Sequence, residues 1–217
     1  SDVCSSDLGR RAKQRLRHER MRRERKGRLL LRGRDHGGGA KLSECGQHLS
    51  RTALAEQTQL QRRFEECDAD ASVKGVVLTG FGKKAFVSGA DVNFLAKIDS
   101  VEMGEQTSRT SQRCVDAVQA VQKPTVAALN GLAFGGGIET AMACEARVAK
   151  KGLKVLAGQP EANLGIIPGA GGTVRLPRLV GFENANMMLR ATRPISSEKA
   201  LAFGLIREEV EGDLVGR

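Results

Sequence analysis

The chain of 217 residues carries a formal net charge of +10, with 40% apolar residues and 3% aromatics, a balance that suits one domain with a substantial core. No apolar run reaches the roughly 18–20 residues that a membrane helix needs, and no segment has the pattern of a secretory leader. The five cysteines (Cys4, Cys45, Cys67, Cys114, Cys144) lie far apart without a CxxC pair, which argues against a zinc site or a disulfide framework and makes the cytoplasm the expected compartment.

The positive charge is local. Residues 9–46 carry +10, residues 1–8 carry −2, and residues 47–217 carry +2. Residues 1–46 therefore read as a basic segment outside the domain, which is expected over 47–217. Three readings of the segment stand: a phosphate-binding arm, a solvated tail, or an out-of-frame translation. The opening SDVCSSDL looks like a translated sequencing adapter, and Arg-rich sequence without apolar period is what GC-rich DNA gives in the wrong frame. No aromatics alternate with the basic residues, which weakens the nucleic-acid reading. All three His fall before residue 50, so none is available to later motifs.

Order is expected from about residue 49. Leu54, Leu60, Phe64 and Cys67 recur near helical spacing, which predicts an amphipathic helix over 51–68. DADAS reads as a turn, and KGVVLTG as a short buried strand closed by Gly80. FGKK is a loop, and AFVSGADV a second strand broken at Gly89. Ser100 can cap a helix over 101–122 that buries Cys114, Val118 and Val121. TVAALNG is a strand, and the helix opened by GGG runs from Ile138 to Glu145. KKGLK is a basic connection to the strand VLAG, and QPEANLGIIPGAGGT reads as loop. Helices over 182–191 and 197–203 follow, the second ending at Gly204. Buried strands alternating with helices define an α/β protein.

The run Gly135-Gly136-Gly137 admits two readings. A helix opening there has unpaired N–H groups and partial positive charge, and without side chains a ligand oxygen can reach those donors. That is a site for an anion or a developing oxyanion. Alternatively, the glycines only permit tight helix–strand packing. The bend at Gly89-Ala90-Asp91 supplies a second candidate donor, the Ala90 N–H, or is an ordinary turn. Glu139 in the first helical turn and Glu161 after GQP are either a cap and a solvated loop residue or an acid/base pair. No Ser-His-Asp set, metal spacing or Walker loop competes; GAGGT at 169–173 lacks the P-loop Lys.

The segments KGVVLTG, AFVSGADV, KPTVAALNGLAFGGGIETAMACEARVA, GQPEANLGIIPGAGGTVRLPRLVG and RPISSEKALAFGLI resemble, in order, the crotonase superfamily, and most closely the enoyl-CoA hydratases. The resemblance implies a crotonase-like (ClpP/crotonase) α/β spiral of ββα units, truncated here at both ends, and trimers or dimers of trimers. It implies an acyl-CoA substrate, with coenzyme A part of that substrate and no separate cofactor or metal. The thioester oxygen would lie on the N–H groups of Ala90 and Gly136, with Ser88, Asp91, Gly135 and Gly169 around it. Glu139 would deprotonate water and Glu161 would exchange the C2 proton. Keeping both glutamates favours a hydratase over members that keep only one, such as many isomerases; the alternative is another reaction of the same superfamily, by an enoyl-CoA isomerase or an acyl-CoA or ring-opening hydrolase. The interval between them is two residues longer than in stand-alone hydratases, as in modules fused to 3-hydroxyacyl-CoA dehydrogenases. Lys83, Lys84 and Lys97 are candidates for the CoA phosphates.

Overall fold

The structure is a computed structural model that describes residues 29–34, 40–43, 54–80, 84–212 and 214. Readings placed on other residues lie outside the described ones. These include most of the basic segment with its proposed arm, Lys83, Cys4, Cys45 and the start of the helix expected from residue 51.

A hairpin of β1 (Leu29–Arg34) and β2 (Ala40–Ser43) comes first, within the segment that the sequence left outside the domain. β1 runs antiparallel to β3 (Val76–Thr79), pairing Leu29 with Leu78 and Leu30 with Val77. Between them lies α1 (Leu54–Ala69), which buries Leu60, Phe64 and Cys67 at the predicted spacing.

From β3 onward the chain repeats one plan three times. A strand joins a six-stranded sheet, the next joins a three-stranded sheet, and a helix follows. The first turn is β3, β4 (Ala85–Val87), the short α2 (Val92–Leu95) and α3 (Val101–Ala120). The second is β5 (Thr125–Leu129), β6 (Leu132–Phe134) and α4 (Gly136–Ala143). The third is β7 (Ala146–Lys150), β8 (Ala157–Gly158), a 3-10 turn (Glu161–Leu164) and α5 (Gly172–Val180). α6 (Phe182–Leu189), α7 (Ser197–Ala202) and β9 (Glu208–Val210) complete the described chain. The sheet orders are β2-β1-β3-β5-β7-β9 and β4-β6-β8, and β3, β5, β7 and β9 run parallel, as do β4, β6 and β8. This is the ββα spiral that the resemblance implies.

Successive turns are stapled to each other. Asn130, at the β5–β6 corner, accepts from Gly80 N at 3.0 Å and donates to Gly80 O at 3.0 Å, at the β3–β4 corner. Ser100 caps α3 by accepting from Met103 N at 3.2 Å, and α3 buries Cys114, Val115 and Val118. Phe64, Leu78, Phe86, Leu129, Ile138, Leu156 and Leu176 are fully buried between the layers. Such side chains each contribute about 1.5–3 kcal/mol.

Some elements differ from expectation. α4 begins at Gly136 and ends at Ala143, because Cys144 turns extended (φ −67°, ψ 150°) to start β7. β7 itself lies after the end of the expected helix, in residues 146–149 that carried no assignment and Lys150 of the basic connection. α5 occupies a stretch read as loop and its continuation, despite Pro177 in its interior. Among the described residues no helix is long and apolar enough to cross a membrane.

Candidate active site

α4 explains the three glycines. A Cβ on Gly137 would fall on the Val87 carbonyl, so the helix start can press against β4 only with glycine there. Gly135, at φ 52°, turns the chain from β6 into the helix, and a Cβ on it would lie 2.8 Å from Glu161 Oε1. The close-packing reading therefore holds, and the same glycines leave the helix N-terminus open beside a carboxylate. The bend at Gly89 (φ 94°) abuts the same place, since a Cβ there would lie 2.9 Å from Phe134 O and 3.8 Å from Gly135 Cα. Among the described residues, no hydrogen bond engages the N–H of Ala90 or of Gly136.

Glu139 sits one turn into α4 and is only 2% exposed. Its Oε1 accepts from Ala170 N at 3.0 Å and from Gly172 N at 2.7 Å, at the start of α5. Burial pushes its pKa above the ordinary carboxylate value; the two N–H bonds and the Arg175 charge oppose that. Glu161 opens the 3-10 turn and is 9% exposed. Burial pushes it up to about 7, its own backbone N–H counteracts, and the Glu139 charge raises it further. The fully buried Gln159, with its NH2 turned to Glu161, donates to both carboxylate oxygens at 3.0 Å.

One cavity of about 840 Å³ gathers these groups: Ala90, Gly136, Glu139, Glu161 and Gly169 all line it, as do Ser88 and Gly135. Apolar side chains of α2 and of the loop after the 3-10 turn, such as Phe94 and Ile167, form much of the remaining wall. Asp91 is the exception among the predicted residues. It is not part of the lining; its carboxylate caps α2, accepting from Asn93 N at 2.9 Å. Gln159, Ala170 and Gly172 carried no assignment in the sequence. The repeated glycines of GAGG are a usable signal for backbone donors beyond Gly169. No group of three or more metal-binding side chains occurs among the described residues.

Two short bends and two buried carboxylates around one largely apolar cavity, on a ββα spiral, define a crotonase-type domain. The chain belongs to the enoyl-CoA hydratase/isomerase family, whose sequence model matches residues 49–215. It is 40% identical over 146 residues to the short-chain-enoyl-CoA hydratase of Clostridium acetobutylicum, covering 67% of this chain and 55% of that protein. It is 39% identical over 159 residues to the fatty acid oxidation complex subunit alpha of Idiomarina loihiensis, covering 73% of this chain and 22% of the other. The crystal structure of an enoyl-CoA hydratase from Bacillus anthracis superposes with a TM-score of 0.69 at 36% identity, over 74% of this chain and 61% of that one. The chain thus spans about half the length of the hydratase relatives it matches.

Proposed function

We propose that the protein is an enoyl-CoA hydratase, adding water reversibly to trans-2-enoyl-CoA to give 3-hydroxyacyl-CoA. The observation that carries this reading is the meeting of both buried carboxylates with two unengaged amides in one cavity. The Ala90 and Gly136 N–H groups take the thioester oxygen. Removing one such donor typically costs about 2.7–4 kcal/mol of barrier lowering. Water, held between the carboxylates with the Gly169 backbone beside it, attacks C3 and gives a proton to Glu139. Both amide donors of Glu139 fall on Oε1, which leaves Oε2 for this water. The C2–C3 electron pair moves toward the thioester as an enolate, and Glu161 protonates C2. A pKa of about 7 keeps Glu161 protonated often enough to act as that acid. Proton exchange with solvent resets both groups. The reaction needs no cofactor, since coenzyme A arrives with the substrate.

The likeness to fatty acid oxidation alpha subunits supports a place in acyl-CoA oxidation, where a 3-hydroxyacyl-CoA dehydrogenase, as partner or fused module, would consume the product. Exposed Leu164 and Ile167 beside the cavity fit burial in a homotrimer or hexamer. The buried Cys114 and Cys144, which form no disulfide among the described residues, fit the cytoplasm. The test is loss of the conjugated absorbance of trans-2-enoyl-CoA, with the product identified by mass spectrometry. Hydration adds one water, isomerisation adds nothing, and thioester hydrolysis frees coenzyme A. Glu139→Gln and Glu161→Gln should each lower kcat by at least about a hundredfold. Normal turnover in either variant overturns the two-carboxylate mechanism.

A further inference from the structure

The peptide unit between Gly169 and Ala170 is held from both edges. Its N–H donates to Glu139 Oε1 at 3.0 Å. Its carbonyl accepts from Ser108 Oγ at 2.8 Å and from Gln112 Nε2 at 3.0 Å, and Gln112 Nε2 also donates to Ser108 Oγ at 3.1 Å. A trans peptide is planar and keeps its N–H and C=O opposed. Side chains that fix the carbonyl therefore fix the direction of the N–H. The next carbonyl, that of Ala170, accepts from Arg175 Nη1 at 3.3 Å, and Arg175 is anchored to Gln119 Oε1 and Asp116 Oδ1, each at 2.8 Å from Nη2. Ser108, Gln112, Asp116 and Gln119 follow one another at helical spacing, so a single stripe of α3 grips the loop on both sides of Ala170.

We propose that Ser108 and Gln112 are positioning residues for Glu139: acting through the Gly169–Ala170 peptide, they keep an N–H on Oε1 and hold the carboxylate in its working orientation. Without them the peptide is free to rotate and Glu139 loses a donor. A carboxylate that loses a donor holds its proton more tightly. The other groups facing Glu139 are the Gly172 N–H and Arg175 on α5 and the Glu161 carboxylate in the 3-10 turn. α3 contributes the neutral Ser108 and Gln112, and its Asp116 is paired with Arg175.

The kinetic consequence rests on Glu139 serving as the base of the proposed hydration; the titration does not. Carbon-13 NMR of the glutamate carboxyls reads Glu139 directly, its signal assigned by its loss in Glu139→Gln. In the Ser108→Ala/Gln112→Leu double variant the midpoint should rise by about one pH unit. Each single variant should show less than half of that, because the two donors back each other up on one oxygen. Ser108→Thr, which keeps the hydroxyl, should stay at the wild-type midpoint. In turnover of trans-2-enoyl-CoA, the double variant should lose about tenfold in kcat with KM within about twofold, and the acid limb of its pH profile should move up. An unchanged midpoint in the folded double variant overturns the proposal. So does a raised KM with kcat and acid limb intact, which would make these side chains substrate contacts. If the double variant does not fold, wild-type midpoints in both single variants overturn it. If wild-type protein hydrates no enoyl thioester, the proposed function falls and the NMR midpoint still decides this inference.

Discussion

Glu161 is held in a state that costs the fold something. Its carboxyl is raised from 4.5 to about 7, chiefly by burial. Below pH 4.5 the native and unfolded chains both keep the proton. Between that value and about 7 the unfolded chain releases it while the native chain retains it, so stability falls as pH rises. Above the native value the full penalty applies, on the order of 3 kcal/mol. Glu161→Gln keeps the shape and removes the titration. Denaturant unfolding should therefore show wild type losing ground to this variant as pH rises from about 5 to about 8. A constant difference across that range would mean that Glu161 is not destabilised by its surroundings. The two glutamates were legible in the sequence because acidic residues in Gly-rich, apolar settings are unusual. Gln159 was not, because a Gln before Pro looks like any loop residue until the fold buries it against Glu161. Asp91 was legible as polar and close to the bend, but its role as a helix cap depends on where α2 begins.

At the scale of elements, the sequence predicted the segments whose local preference agrees with their final state. α3 has its Ser cap and a clear apolar spacing, and β3 and β5 are β-branched or small apolar runs. α5 was missed for the opposite reason. Its sequence starts with Gly172, directly after the N-cap Gly171, and contains Pro177, and Gly and Pro are both poor in helices. Burial overrides that preference: Leu176 is fully buried and Val180 nearly so, which docks the helix on the core. β6 spans three residues and becomes a strand only by pairing, as Ala133 does with Ala157, while β8, expected as the strand VLAG, is Ala157–Gly158. Leu176→Ala should cost about 2–5 kcal/mol, read by urea unfolding. Because α5 begins with the Gly172 N–H that holds Glu139, the same variant should also lower kcat in the folded protein. A loss of stability with unchanged kcat would show that the start of the helix holds its place without its buried face.

At the scale of the whole molecule, the spiral is closed by one buried cation. Arg147 on β7 is 5% exposed; its Nε donates to Leu205 O at 2.7 Å and its Nη1 to Cys144 O at 2.7 Å. The Arg147 carbonyl accepts from Arg207 N at 2.8 Å, just before β9 pairs with β7 at Val148 and Glu208. One residue thus fastens the last described strand to the corner after α4. Neither Leu205 nor Cys144 lines the carboxylate cavity. Sequence alone offered no hint of this, since residues 146–149 carried no assigned element and an Arg is rarely buried. Burial lowers its pKa, and its donors are used on carbonyls that would otherwise be left unsatisfied. Arg147→Met fills the volume and strands both carbonyls, so it should destabilise by about 2–4 kcal/mol. Arg147→Lys can serve one carbonyl and should lose less, because a single ammonium cannot reproduce the guanidinium fork. At a temperature where each variant is folded, kcat and the acid limb should match wild type. That pattern is the reverse of the one expected for Ser108 and Gln112, which move kcat. If Arg147→Met changed kcat as much as stability, closure of the sheet and the geometry of the carboxylates would be one cooperative unit, and the division between fold-holding and site-holding polar groups would fail.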